Sequence, residues 1–232
     1  MKNNKHGCDL QSCMLCRFCV KDWLPAIEAN KTNLLIKKGQ QIFTEGDPVK
    51  GVYFIYSGTV KVHKRWDREK ELIVRFAQKG DILGHMGLGN DPIYPVTTTA
   101  LEPTIVCYVS MAFFESTLNV NNQLTYKLMR FFANELQESE KRVRNLVHMP
   151  VKGRIAQAFI ALEHQFGTTA EGYINIELTR QDISSFAGGS YETLFKVMHE
   201  LTNEQIIEIS GKNIRIINGI ALKELTEAVV LS

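Results

Sequence analysis

Four of the five cysteines lie in the stretch CDLQSCMLCRFC at residues 8–19, and the fifth, Cys107, lies in the apolar run TIVCYV. Thiolates are soft metal ligands and redox groups, so this concentration asks for a chemical explanation. Cys13, Cys16 and Cys19 are spaced C-x2-C-x2-C, which lets one short segment offer three sulfurs to one centre. A fourth sulfur comes from Cys8 in the same segment or from Cys107. Zinc accepts four thiolates in a tetrahedron, and a thiol–disulfide switch needs no metal. Inert thiols are the remaining reading, and for Cys107 alone on an apolar strand core packing is the ordinary role. The odd total leaves at least one cysteine outside any disulfide scheme. No apolar leader follows the basic start MKNNKHGCDL, and no run approaches the ~20 apolar residues of a membrane span, so the chain reads as cytoplasmic, without a membrane partner. In that compartment clustered thiols serve metal or redox chemistry. His63, His85 and His164 are the other reactive side chains, but no nucleophile–base motif or phosphate-cradling loop accompanies them, so the chain does not read as an enzyme.

These residues must be held by something. The 232 residues are 44% hydrophobic with six prolines, enough for one or two ordinary cores. From Leu34 to Val109 short apolar runs recur every eight to twelve residues between glycine-bearing turns, the pattern of a β-sandwich or roll. GTVKVHKR and ELIVRFAQ, joined by the polar WDRE, form a hairpin, and the glycines at 39, 46, 51, 58, 80 and 84 are expected at turns. The period then lengthens. Leu124, Leu128, Phe132, Leu136, Val143 and Val147 lie on one helical stripe, in a helix of about thirty residues that begins after a turn near Asn119–Asn122 and ends at Pro150. Such a stripe outlasts one small domain and calls for a partner helix in a symmetric dimer, with a helix lying across its own sheet as the alternative and a polar interruption at QESEKR.

A second helix, VKGRIAQAFIALEHQF, precedes LTRQDISSFAGGSYETLFKVMHEL. Thr179 caps one short helix and Ser190 the next, with Gly188-Gly189 between them, which makes a helix-turn-helix. IIEIS and IRIIN around Gly211-Lys212-Asn213 form a two-stranded wing. Charge is split, +5 over residues 1–150 and −3 over residues 151–232, so bulk charge argues only weakly for nucleic acid.

In order of parts the chain resembles the Crp/Fnr superfamily of bacterial transcription regulators. The resemblance rests on KKGQQIFTEGDPVKGVYFIYSGTVKV, on GDILG and on LTRQDISSFAGGSYETLFKVMHEL, and spans nearly the whole chain. It implies an α+β fold: an N-terminal β-roll (a cupin-like double-stranded β-helix), a long dimerisation α-helix and a C-terminal winged helix-turn-helix. The implied boundaries are a cysteine-rich segment at 1–30, a sensor roll at 31–110, a dimerisation region at 111–149 and a DNA-binding domain at 150–232. It further implies a homodimer on a two-fold symmetric duplex operator, with RNA polymerase as a partner if the protein activates.

Residue by residue, the family's base-reading positions fall on Tyr191, Glu192 and Lys196. Glu192 suits a cytosine amino group. Lys196 stands where many members carry Arg; it still reaches guanine but without the rigid fork. Tyr191 suits a thymine methyl or a phosphate, while Thr179, Arg180, Gln181 and Ser190, at helix N-termini, suit phosphates. Members that bind cyclic AMP carry a Gly-Glu pair and an Arg in the roll; here His85 replaces the Glu and Pro95 or Val96 the Arg, which argues against cyclic AMP. A different effector pocket would be lined by His85, Met86, Tyr94 and Thr98, with a filled core as the plainer reading. The oxygen-sensing branch holds a [4Fe–4S] cluster with N-terminal cysteines and one in the roll, and this assigns Cys13, Cys16 and Cys19 with Cys107, or Cys8 with the local three. The shorter spacing here departs from that branch, so zinc or no metal stays open. The competing class is a cytoplasmic metal or redox-switch protein that uses its helix-turn-helix for protein contacts.

Overall fold

The computed structural model describes residues 2–3, 13–67 and 70–227. The chain divides into two compact units, Met1–Leu136 and Gln137–Ser232.

In the first unit β1 (Lys2–Asn3), α1 (Met14–Phe18), a 3-10 turn at Lys21–Trp23 and α2 (Leu24–Asn30) lead into the strands. These are β2 (Lys31–Ile36), β3 (Gln41–Phe43), β4 (Gly51–Ser57), β5 (Val60–Arg65), β6 (Glu71–Ala77), β7 (Ile82–Leu83), β8 (Thr97–Ala100) and β9 (Thr104–Ser110). Among the described residues they form two antiparallel sheets, ordered β1-β2-β9-β4-β7 and β3-β8-β5-β6. The expected hairpin is the pair β5 and β6, with a bulge at Val62/His63.

GVYFIYS reads as one apolar run because β4 is covered on both faces. Tyr53 and Ile55 turn inward between the sheets with Val60, Val62 and Val106. Val52 and Phe54 turn outward with Cys107 and Val109, into a second apolar layer roofed by helices. Truncating Phe54, which is fully buried there, to alanine costs about 3–5 kcal/mol. Gly51 is not at a turn as the sequence suggested. It lies in β4 against β9, where a Cβ would fall 2.1 Å from the Val109 carbonyl, so close backbone approach is what requires glycine.

α3 (Met111–Val120) is capped by the Ser110 hydroxyl, and α4 (Asn122–His148) follows after a break at Asn121. The single stripe expected on α4 is two. Leu124 and Leu128 are buried in the outer layer of the roll, with Phe131 and Phe132 packed against it. Tyr126, Met129, Leu136, Val143 and Val147 are exposed, at steps of three, seven, seven and four residues that fit one heptad seam. The roll claims only the face it touches, and a helix with a 3.6-residue period carries both stripes at once.

The second unit holds α5 (Val151–Phe166), α6 (Arg180–Ala187), α7 (Tyr191–Asn203), β10 (Ile207–Ser210), β11 (Asn213–Ile216) and α8 (Gly219–Glu224). Pro150 occupies the N-cap of α5, and Ile155, Phe159 and Leu162 bury its inner face. β10 and β11 pair antiparallel from Ile207↔Ile216 to Ser210↔Asn213, the expected wing. Among the described residues no helix is long and apolar enough to cross a membrane.

Candidate nucleic-acid interface and thiol cluster

The start of α6 is fixed by a capping box. The Thr179 hydroxyl accepts from the Asp182 amide at 3.0 Å and donates to Asp182 Oδ2 at 2.6 Å, while the Thr179 amide donates to the same oxygen. Gly188 ends the helix in the left-handed region (φ 66°), which reverses the chain within two residues. Ser190 then caps α7, accepting from the Thr193 amide at 3.2 Å. Arg154 of α5 locks this turn by donating to the carbonyls of Ala187, Gly188 and Met149 at 3.1, 3.0 and 2.9 Å. Arg142, in the last turns of α4, stacks 4.7 Å over the Phe186 ring and donates to the Phe186 carbonyl at 2.8 Å. Burial lowers its pKa to about 10, so it stays charged at neutral pH.

α7 is anchored by Leu194, Val197, Met198 and Leu201. Its opposite face presents Tyr191, Glu192, Phe195, Lys196 and His199 to solvent. Three of these carry the sequence expectation; Phe195 and His199 were missed. The signal was available, since the i, i+4 partners of Tyr191 are fixed once the buried stripe is known. The Glu192 carboxyl is held below the usual carboxylate range, first by a hydrogen bond from its own amide and then by the Ser190 hydroxyl, which keeps it an acceptor. Gln181 is exposed. Arg180 is turned to the wing, donating to the carbonyl of Gly211 at 2.7 Å, so it braces wing against helix. The hydroxyls of Thr179 and Ser190 are both engaged in capping.

In the first unit Cys13, Cys16 and Cys107 are buried in the outer apolar layer, and Cys19 packs against it. α1 carries Cys16 and is flanked by Cys13 at its N-cap and Cys19 at its C-cap. Cys107 sits in β9 opposite Asn33 and Phe54. Burial, and next the neighbouring Cys13, push the Cys19 thiol up to about 11. Among the described residues no three His, Cys, Asp or Glu side chains converge on a metal position, and Cys8 lies outside the described residues. The donor set nonetheless suits a thiolate-bound centre, with four sulfurs in or against one apolar layer.

This segment is tied to the start of α4. The Val20 amide, next after Cys19, donates to Asn121 Oδ1 at 2.7 Å. Trp23 Nε1 donates to the Thr117 hydroxyl at 3.1 Å and its ring stacks on Phe113. Asn121 is buried at the break between α3 and α4, and its amide group donates to the Thr117 carbonyl at 2.8 Å. Asparagine suits such a break because its side chain satisfies local backbone groups.

His85, Met86, Tyr94 and Thr98 do line one pocket of the roll, but its free volume is about 10 Å³, room for roughly one water molecule. The Tyr94 hydroxyl donates to the Gly51 carbonyl, and its ring stacks on Phe43 at 4.0 Å. His85 meets Phe131 and Phe132 edge to face; burial, and next Arg75, lower its pKa to about 3, so its ring is neutral. Arg75 reaches Glu135 of α4 at 3.4 Å.

The family model for the cyclic nucleotide-binding domain matches residues 34–121, and that for the Crp-like helix-turn-helix domain matches residues 153–225. The fumarate and nitrate reduction regulatory protein of Vibrio cholerae is 26% identical over 231 residues, covering 94% of this chain and 91% of its own. The anaerobic regulatory protein of Bacillus subtilis is 29% identical over 196 residues, 82% of each chain. In fold, FixK2 from Bradyrhizobium japonicum superimposes with a TM-score of 0.75 at 24% identity, covering 85% of this chain and 98% of its own. A roll, a long helix and a capped helix-turn-helix in this order, matched along nearly the whole length, place the chain in the Crp/Fnr family of DNA-binding transcription regulators.

Proposed function

We propose that this regulator senses oxygen or redox state through its N-terminal thiols and, as a homodimer joined along α4, reads a two-fold symmetric operator in the cytoplasm. The observation that carries the reading is the shared apolar layer of Cys13, Cys16, Cys19 and Cys107, hydrogen-bonded through Val20 to Asn121 at the root of α4. The names of the relatives, an anaerobic regulatory protein among them, support the same direction. Cys13, Cys16, Cys19 and Cys107 are the residues that would hold a [4Fe–4S] cluster, with Cys8 the alternative fourth ligand. Such a cluster, when bound, supplies the oxygen-sensitive chemistry. The chain itself supplies sulfur donors, an apolar wall that excludes water, and a hydrogen-bonded strap that carries any shift of α1 to Asn121. At the far end Glu192 accepts from a cytosine amino group and Lys196 donates to guanine. RNA polymerase becomes a partner if the operator position makes the protein an activator.

Anaerobic purification with iron, sulfide and zinc analysis tests the cofactor. About four irons per chain are expected, lost in Cys→Ser variants of the ligands. Stoichiometric zinc, or a metal-free chain, would remove the cluster from the account and leave the DNA-reading unit intact.

A further inference from the structure

Phe195 is 65% exposed on α7, between Glu192 and Lys196 on the face that the buried stripe leaves to solvent. Tyr191, 46% exposed, stands one turn before it. A single exposed apolar side chain is ordinary on a protein surface. Here the ring lies in the first two turns of the helix that enters the major groove, beside the carboxylate and the ammonium that address base edges. The major-groove floor is polar except at one feature, the C5-methyl of thymine. A phenyl ring pressed against a purine edge or a cytosine amino group would desolvate donors and acceptors and return no hydrogen bond. Against thymine it covers a methyl group and leaves the polar edges to Glu192 and Lys196.

We propose that Phe195 is a specificity-determining residue that selects a thymine in each operator half-site, next to the base pair addressed by Glu192, by packing on the thymine C5-methyl. The assignment rests on the DNA-reading role of α7 and is independent of what the cysteines bind. Phe195 is 65% exposed and stands outside the buried stripe of α7, so replacing it leaves the fold in place.

The test starts from duplexes recovered by the wild-type protein from a random pool, under the redox condition in which it binds. In the recovered site the thymine beside the Glu192-addressed pair is replaced by deoxyuridine, which removes only the methyl group. Wild-type affinity should fall about fourfold for one half-site and roughly fifteenfold for both, the effect of exposing one methyl-sized group each. The Phe195→Ser variant should bind the thymine and deoxyuridine duplexes alike, and Phe195→Leu, which keeps an apolar tip, should retain part of the preference. A recovered site without that thymine, or equal loss on deoxyuridine replacement in wild type and Phe195→Ser, would overturn the proposal. Failure to recover any duplex in either redox condition would overturn the DNA-reading role itself and this assignment with it.

Discussion

Leu136 offers a quantitative test of the dimer seam. In one chain 61% of its surface is exposed, at the centre of the heptad-spaced row that runs from Tyr126 to Val147. Leu136→Ala removes three carbon groups worth ~0.8 kcal/mol each when fully buried. Scaled by the 61% that a partner helix would cover, the loss is about 1.5 kcal/mol per protomer and about 3 kcal/mol per dimer. That raises the dimer dissociation constant about a hundredfold, measured by sedimentation equilibrium over a concentration series. Alanine is the best helix former, so α4 keeps its shape. Val147→Ala, by the same reasoning at 69% exposure, costs about 2 kcal/mol per dimer. If both variants leave the dissociation constant within threefold of wild type, the exposed row is not the seam and the reasoning is wrong.

Three further outcomes are expected. Asn121→Ala removes the acceptor of the Val20 amide and the donor to Thr117, so it should lower stability to urea by about 1–3 kcal/mol and weaken the response of DNA affinity to air; a variant with full stability and full response refutes the strap. Glu71 is held to about 2 from its ordinary 4.5, first by His63 and also by Lys61 at 2.5 Å; because the folded value is depressed, the pair stabilises fully above pH 4.5 and the benefit disappears as pH falls towards 2. Glu71→Gln should therefore cost about 2–3 kcal/mol at pH 7 and flatten acid unfolding over that window; an unchanged acid limb contradicts it. Cys19, raised to about 11 from 9.0, holds its proton more tightly when folded, so its contribution is intact below pH 9 and is lost between pH 9 and 11. Its alkylation in the metal-free protein at pH 8, followed by mass spectrometry, should be about a hundredfold slower than in a peptide, and equal rates would refute the buried-thiol geometry.

The C-terminal unit was almost wholly legible because its signals are local. Thr179, Asp182, Gly188 and Ser190 specify two caps and a turn within twelve residues, and each has the expected geometry. The roll was legible in kind but not in pairing, since β4 lies beside β9, about fifty residues on, and only long-range contacts choose that neighbour. For the same reason Gly51 read as a turn glycine: the Val109 carbonyl that demands it is remote in sequence. On α4, periodicity alone could not divide the apolar residues between the roll and the exposed seam. The cysteine cluster was conspicuous as composition, yet the strap through Val20, Asn121, Trp23 and Thr117 left no motif, because each bond joins residues more than ninety positions apart.

The most direct test of the sensing account is the affinity of one anaerobic preparation for a recovered operator duplex, measured before and after exposure to air at fixed salt, with iron and sulfide followed alongside. The account predicts at least about a tenfold change in affinity that tracks loss of the cluster, the scale of an ordinary allosteric coupling. Affinity that stays constant while the iron is lost would contradict it.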